Sequence, residues 1–140
     1  MRWLGVDLGD ARTGLAVGDD DTCFVQPVET LEVPRRGDGE ALVTAVVDAM
    51  HRYETDGFVI GLPLNMDDSE GPRAVIARTF GAALAAAAPA ETPVEFVDER
   101  LSSHAADGRM AQSGRTHRQK KKIRDALAAA EILRDFLGTA

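Results

Sequence analysis

Cysteine and aromatic residues are scarce in this 140-residue chain, and both shortages narrow what the protein can be. Cys23 is the only cysteine, so neither a disulfide nor a cysteine-based metal site can form within one chain. Aromatic residues make up 5% of the sequence whereas alanine is abundant, which favours helices that pack closely through small side chains. Chemistry that depends on paired cysteines is therefore excluded.

Long apolar runs are also absent from the sequence. The densest candidate, residues 80–90, is rich in alanine and shorter than the roughly 20 residues that a membrane helix needs. The N-terminus leads directly into a predicted strand, so no segment resembles a signal peptide. The apolar content of 44% suffices for one core. We therefore expect a single domain over residues 1–140, a cytoplasmic location and no association with a membrane.

A net charge of −7 argues at first against nucleic acid as a partner, but the distribution of charge argues for it. Six cations fall within ten residues near the C-terminus, and they include every lysine of the chain: Arg115, Arg118, Lys120, Lys121, Lys122 and Arg124. Such a block is typical of a phosphate-backbone contact. A solvated helix face would have the same composition, so both interpretations stay open.

The hydrophobic pattern predicts an α/β fold. Strands are expected at residues 2–7, 14–18, 24–33, 58–60 and 93–97, and helices at residues 40–53, 73–88, 102 or 103 to about 112, and 116 or 117 to about 137. Pro27 favours an edge position for the third strand. An antiparallel meander followed by βαβ crossovers gives a mixed five-stranded sheet flanked by helices.

Acidic residues lie where such a sheet places function, beyond the carboxyl ends of its strands. Asp7 ends the first strand before a glycine-rich turn, the pair Asp98 and Glu99 ends the fifth, and Asp125 lies in an alanine-rich part of the last helix. Each acid alone could instead shape a turn or pair with a neighbouring cation. If they converge, they predict a site for two Mg²⁺ or Mn²⁺ ions that hydrolyses phosphodiester bonds, because these cations prefer oxygen ligands.

Four segments resemble the YqgF (RuvX) family, whose members have a ribonuclease H-like fold and are described as Holliday junction resolvases and as pre-16S rRNA nucleases. In the order of the family they are residues 7–14, DLGDARTG; 61–73, GLPLNMDDSEGPR; 97–103, VDERLSS; and 125–133, DALAAAEIL. Together they span nearly the whole chain. The loop after the fourth strand and the DERLS segment are the most distinctive.

The resemblance implies a metal-dependent nuclease whose catalytic acids and metal ligands are Asp7, Glu99 and Asp125, with Asp98 able to share or replace the role of Glu99. The basic residues expected to bind nucleic acid are Arg12, Arg73, Arg118, Lys120, Lys121 and Lys122.

The loop after the fourth strand borders the site in the family, and here it carries Asn65 and Glu70. One departure from the family is Asp68, which stands where a glycine is common. We therefore expect the turn of this loop to differ at that position.

Several functions stay open. Processing of the 5′ end of precursor 16S rRNA is favoured by the broader description of the family, and it needs only one site. Resolution of a four-way DNA junction needs a symmetric dimer with two sites, so the protein is either a monomer or a homodimer. A non-catalytic nucleic-acid-binding factor of ribosome assembly is an alternative of another class. A phosphate clamp of the sugar-kinase or actin type would require a second domain and a longer chain.

Overall fold

The computed structural model describes residues 1–37, 39–98 and 117–138, and within residues 117–122 only the backbone. The described elements are β1 (Arg2–Asp7), β2 (Thr13–Asp19), β3 (Val25–Leu31), α1 (Glu40–Arg52), β4 (Gly57–Leu62), α2 (Pro72–Ala87), β5 (Val94–Asp98) and α3 (His117–Gly138). None of these described helices has the length and apolar character needed to cross a membrane. The helix expected between about residues 102 and 112 lies outside the described residues.

The five strands form one mixed sheet in the order β3–β2–β1–β4–β5. β1 pairs antiparallel with β2 and parallel with β4, and β5 pairs parallel with β4. β3 pairs antiparallel with β2 and lies at an edge, the position that Pro27 favours, and Pro27 is paired with Ala16 next to an irregularity in this ladder. The predicted mixed five-stranded sheet is thus confirmed.

Helices cover both faces of the sheet and form two cores. Helices α1 and α2 pack on one face against residues that include Leu4 and Val6, whereas α3 packs on the other face against residues that include Trp3. Successive side chains of a strand point to opposite faces. Asp7 therefore belongs to the face of Trp3, which is the face that α3 covers.

The buried side of α2 differs from the apolar stripe that the sequence predicts, which is Val75, Ile76, Phe80 and Leu84. Phe80 and Leu84 are buried as expected, but Val75 is exposed. Small residues of α2 take its place against the sheet: Ala74, Ala77 and Gly81 are buried. The prediction for Val75 was wrong because close approach of the helix backbone, rather than side-chain size, selects the face that packs.

Candidate active site

Asp7 is the last residue of β1 and lies where three parallel strands end. Its neighbour Val6 is paired with Ile60 of β4, and Leu62 at the end of β4 is paired with Asp98 of β5. Across the antiparallel ladder, Asp7 is paired with Gly14 of β2. The half-buried Asp7 is therefore at the carboxyl edge of the parallel strands, on the face of α3.

Gly14 brings helix α3 into contact with this strand pair. A Cβ atom added at Gly14 would lie 1.8 Å from the carbonyl oxygen of Asp125 and 2.1 Å from its carbonyl carbon. Only glycine allows so close an approach of helix backbone to strand. Because Gly14 is the ladder partner of Asp7, the structure brings Asp7 and Asp125 to the same edge and the same face.

The side chain of Asp125 is paired with Arg12, which lies in the turn between β1 and β2. Arg12 Nε donates a hydrogen bond to Asp125 Oδ2 at 3.0 Å, and the Asp125 side chain is 20% exposed. Burial raises the pKa of Asp125 above its ordinary value, and the positive charge of Arg12 opposes this increase without cancelling it.

These donors suit a hard divalent cation. Asp7 and Asp125 offer carboxylate oxygens, which Mg²⁺ and Mn²⁺ prefer as ligands. The raised pKa of Asp125 means that Arg12 alone does not offset the desolvation of this carboxylate, and a bound cation would favour its charged form. The residues that the structure describes here therefore fit a divalent metal.

The acids at the end of β5 have a different placement. Val94 and Phe96 pack toward α1 and α2, whereas Val97 packs toward α3. By the alternation of the strand, Asp98 belongs to the face opposite to that of Asp7. Asp98 thus shares the edge of Asp7 but not its face, and Glu99 lies outside the described residues.

The basic residues expected to bind nucleic acid fall into two groups. Arg12 and Arg73 lie near the carboxyl edge and pair with acids, Arg12 with Asp125 and Arg73 with Asp10. For Arg118 and the three lysines Lys120, Lys121 and Lys122, only the backbone is described, and it forms the first turns of α3. Lys121 precedes Asp125 by four residues, which is about 6 Å along the helix axis.

The loop after β4, residues 63–71, is closed by its own hydrogen bonds. Asn65 Nδ2 donates to Ser69 Oγ at 3.0 Å. The Glu70 carboxylate accepts two hydrogen bonds from Arg78, one from Nε at 2.6 Å and one from Nη2 at 2.7 Å. Asn65 and Glu70 therefore hold the loop in shape and tie it to α2.

The turn at the tip of this loop has a conformation that glycine adopts easily. Asp68 has a φ of 70°, in the left-handed region, and its backbone N–H donates to the carbonyl oxygen of Asn65 at 2.9 Å. The aspartate therefore takes up the type of backbone conformation for which a glycine would be suited.

The sequence interpretation did not single out Asp10 and Arg35. Arg35 Nη2 donates to Asp10 Oδ1 at 2.6 Å, and Arg73 Nη2 donates to Asp10 Oδ2 at 3.3 Å. Asp10 lies in the glycine-rich turn after Asp7, and this position was the only sequence signal that pointed to it. For Arg35 no local pattern distinguishes it from the adjacent Arg36.

A second group of acids lies far from Asp7. Ligand atoms of Asp19, Asp20 and Asp21 lie within 4.8 Å of one another. Asp19 is paired with Arg2 at the opposite end of β1 from Asp7, and five strand residues span roughly 17 Å. Asp20 also accepts hydrogen bonds from the N-terminal ammonium at 2.9 Å and from Trp3 Nε1 at 3.3 Å. This group is therefore not part of the site at Asp7.

Solved structures with a similar fold include a viral Holliday junction resolvase and RuvC in complex with a Holliday junction. The fowlpox virus resolvase has a TM-score of 0.62 at 13% identity, with all of both chains covered. RuvC of T. thermophilus in complex with a Holliday junction substrate has a TM-score of 0.59 at 18% identity, with 100% of this chain and 98% of that chain covered. At these identities the likeness shows the fold alone, which is the ribonuclease H-like fold of the resolvases.

Sequence comparison identifies the family. A protein of Anaeromyxobacter dehalogenans (strain 2CP-C), named "Putative pre-16S rRNA nuclease", is 47% identical over 137 residues, which cover 98% of this chain and 96% of the relative. Residues 1–139 match the family model described as RuvX, Holliday junction resolvase. The chain therefore belongs to the RuvX (YqgF) family.

Proposed function

We propose that this protein is a metal-dependent nuclease that processes the 5′ end of precursor 16S rRNA. Membership of the RuvX family supports the hydrolysis of phosphodiester bonds, and the name of the relative at 47% identity supports the RNA substrate. One structural observation carries the proposal: Asp7 and Asp125 lie on either side of Gly14, at the carboxyl edge of the sheet.

We assign Asp7, Asp125 and Glu99 as the ligands of a two-metal site that holds Mg²⁺ or Mn²⁺. Glu99 is preferred to Asp98 because the resemblance to the family matches Glu99 with the acid after the fifth strand, whereas Asp98 belongs to the face of Phe96, opposite to that of Asp7. When bound, such ions activate a water molecule and stabilise the leaving oxygen of an in-line displacement at phosphorus.

The other residues of the site prepare it for an anionic substrate. In the free protein, Arg12 compensates part of the charge that Asp125 carries in its half-buried position. A cation held by Asp125 would neutralise this carboxylate, and the guanidinium of Arg12 would then be able to bind a phosphate oxygen of the substrate, for which its planar donors are suited. Arg73 and the basic first turns of α3, with Arg118 and Lys120 to Lys122, extend the phosphate contacts beyond the reacting group.

A four-way DNA junction is the second candidate substrate. The description of the family favours it, as does the fold shared with RuvC, which was solved with a Holliday junction. Cutting two strands of a junction would require a homodimer with two sites, whereas one site suffices for an RNA end. The oligomeric state in solution therefore bears on the choice between the two substrates.

Two further properties belong to this proposal. The match of the family over residues 1–139 supports one domain for residues 1–140. A ribosomal RNA precursor is made and processed inside the bacterial cell, which supports a cytoplasmic location.

The test compares Asp7→Asn with wild type in the presence of Mn²⁺, using labelled precursor rRNA and a DNA four-way junction in parallel. We expect wild type to cut the precursor and Asp7→Asn to lose cleavage while its thermal unfolding and RNA binding stay close to wild type. Asp98→Asn is the matched control at the same edge, and it should retain most of the activity.

Each other result would change the assignment. Cleavage by Asp7→Asn would mean that Asp7 is not a residue of the active site. Preferential cutting of the junction would favour the DNA substrate. Wild type that binds the precursor without cutting either substrate would favour a non-catalytic assembly factor.

A further inference from the structure

A cavity of about 160 Å³ opens at the carboxyl edge of the sheet, on the side of α2. Its lining includes Gly9 and Asp10 from the turn after β1, Gly61 from β4, and the two arginines Arg35 and Arg73. Neither Asp10 nor Arg35 is among the proposed metal ligands. The cavity and Asp7 are at the same edge of the sheet, since Asp10 follows Asp7 by only three residues, but the cavity is on the face of α2 and Asp7 is on the face of α3.

The two arginines converge on a single carboxylate. Arg35 Nη2 lies 2.6 Å from one oxygen of Asp10, and Arg73 Nη2 lies 3.3 Å from the other. The arginines come from separate parts of the chain, Arg35 from the segment between β3 and α1 and Arg73 from the start of α2. Two cations held independently around one point form a site for an anion with more than one oxygen.

The carboxylate that fills this point can be exchanged for another anion. The side chains of Asp10 and Arg73 are 65% and 69% exposed, and ion pairs at such exposure contribute little to stability. The backbone N–H of Arg35 donates to the carbonyl oxygen of Asp10 at 2.9 Å, so the main chain stays anchored if the Asp10 side chain turns away. Separating the Asp10 carboxylate from Arg73 would therefore cost little stability.

Arg35 has a donor that Asp10 leaves unused. The Arg35 side chain is 23% exposed, and its Nε is buried without a hydrogen-bond partner among the described residues. A phosphodiester group carries two unesterified oxygens, and the guanidinium fork can bind them through two parallel N–H donors. In the pairing with Asp10, Arg35 uses Nη2 and leaves Nε without an acceptor among the described residues.

We propose that Arg35 and Arg73 form a second phosphate site for the nucleic-acid backbone, which Asp10 occupies in the free protein and leaves when the substrate binds. This inference rests on the proposed nuclease function. The Cα atoms of Asp7 and Asp10 are at most about 11 Å apart, since three residues span no more than that.

The test measures RNA binding in the Asp7→Asn background, where cleavage does not interfere, by fluorescence anisotropy at several KCl concentrations. Arg35→Ala should weaken binding and reduce the slope of log K against log salt by about 0.7 to 0.9, the value of one phosphate contact. Arg36→Ala removes the same charge from the adjacent exposed position, and it should leave the affinity for RNA and the salt slope nearly unchanged. Arg35→Lys keeps the charge but not the paired N–H donors of the guanidinium. Its affinity for RNA should lie between that of the parent and that of Arg35→Ala.

The replacement Asp10→Asn separates this inference from a purely structural role of the ion pairs. If Asp10 competes with phosphate, Asp10→Asn should bind RNA more tightly, and this gain should disappear in the double variant Asp10→Asn/Arg35→Ala. If Asp10 only holds the side chains of the two arginines in position, Asp10→Asn should bind RNA no better than its parent. The second result, or equal behaviour of Arg35→Ala and Arg36→Ala, would overturn the inference.

A titration with inorganic phosphate distinguishes failure of this site from failure of the nuclease assignment. The NMR signal of Arg35 Nε–H should shift with phosphate, and at lower phosphate concentration in Asp10→Asn than in the parent. Absence of cleavage by wild type together with this shift would count against the nuclease and not against the phosphate site. Cleavage by wild type without the shift would count against the phosphate site alone.

Discussion

Single residues determine whether the acids of the site can meet. Gly14 is a residue of β2 at which the backbones of β2 and α3 meet, and a methyl group there would overlap the carbonyl of Asp125. The contact is between backbones, so neither partner can move aside without moving its whole element. The geometry of Asp7 and Asp125 therefore depends on a residue that has no side chain.

Gly14→Ala should displace α3 from the strand pair. Overpacking of this kind typically costs about 1–3 kcal/mol in the free energy of unfolding, and cleavage should fall more steeply than stability because Asp125 moves with the helix. Denaturant unfolding and Mn²⁺-dependent cleavage would measure the two effects.

Gly18→Ala is the matched control for this substitution. Gly18 lies in the same strand, and the three atoms nearest to an added Cβ would be side-chain atoms of Val25, Leu133 and Leu137, at 3.1 to 3.3 Å. Such side chains can shift by a few tenths of an ångström, so the control should lose less stability. Equal losses for the two variants would contradict a close backbone contact at Gly14.

At the scale of elements, the edge strand β3 is tied to helix α1 by a small polar cluster. Both oxygens of Glu29 accept hydrogen bonds at 3.0 Å from Arg52, and Tyr53 Oη donates to Glu29 Oε2 at 2.6 Å. The hydrogen bonds from Arg52, followed in size by burial, which opposes them, and by the bond from Tyr53, leave the pKa of Glu29 below its ordinary value of 4.5. The cluster therefore prefers the charged carboxylate.

This preference makes stability depend on pH in a defined direction. A carboxyl group whose pKa is lower in the folded than in the unfolded state stabilises the fold above pH 4.5, and this contribution is lost as the pH falls through the folded-state pKa. Glu29→Gln should lower the free energy of unfolding at pH 7. The loss should be no more than about 1 kcal/mol, because the cluster is partly exposed. Chemical unfolding at several pH values should show this difference shrinking on the acid side of pH 4.5.

Glu95→Gln is the control for this element, since Glu95 is an exposed glutamate of the other edge strand. It should unfold much as wild type does throughout the pH range. A loss for Glu29→Gln that persisted unchanged at acid pH would mean that the ionised carboxylate is not the stabilising species.

At the scale of the whole molecule, groups of positive charge stand out against a negative net charge. The chain carries −7 overall, yet cations gather near the carboxyl edge and at the start of α3. Arg12, Arg35 and Arg73 each pair with an acid of the described chain, so their charge is compensated until an anion arrives. An acidic protein can in this way present a basic path to a nucleic acid.

Replacement of Lys120, Lys121 and Lys122 by alanine tests this path. Binding of RNA should weaken, and the slope of log K against log salt should fall by about 2 to 3 if all three lysines contact phosphates. Replacement of the same three lysines by arginine keeps the charge and should preserve the slope. An unchanged slope in the alanine variant would identify the block as a solvated helix face.

The fold was predicted well from the sequence where the signal is local. The bounds of β1 and of α1 agree with prediction within one residue, and the edge position of β3 followed from Pro27. The apolar stripe of α2 was predicted less well. The helical spacing of apolar residues takes account of large side chains, whereas the packing of this helix depends on small residues such as Gly81. The roles of Asp7, Glu99 and Asp125 remain predictions that the proposed experiments test.

The sequence by itself determined the order of elements, the sheet and the placement of acids at strand ends, because hydrophobic periodicity and turn residues act over a few neighbouring positions. Only the tertiary structure decided which distant residues touch: Asp125 against Gly14, and Asp10 between Arg35 and Arg73. These contacts join segments far apart in the chain, and they arise from how a helix or a loop packs on the sheet. No local pattern records such packing, which is why Asp7 and Asp125 could be proposed from the sequence, whereas the contact of Asp125 with Gly14 and the pairing of Asp10 with Arg35 could not.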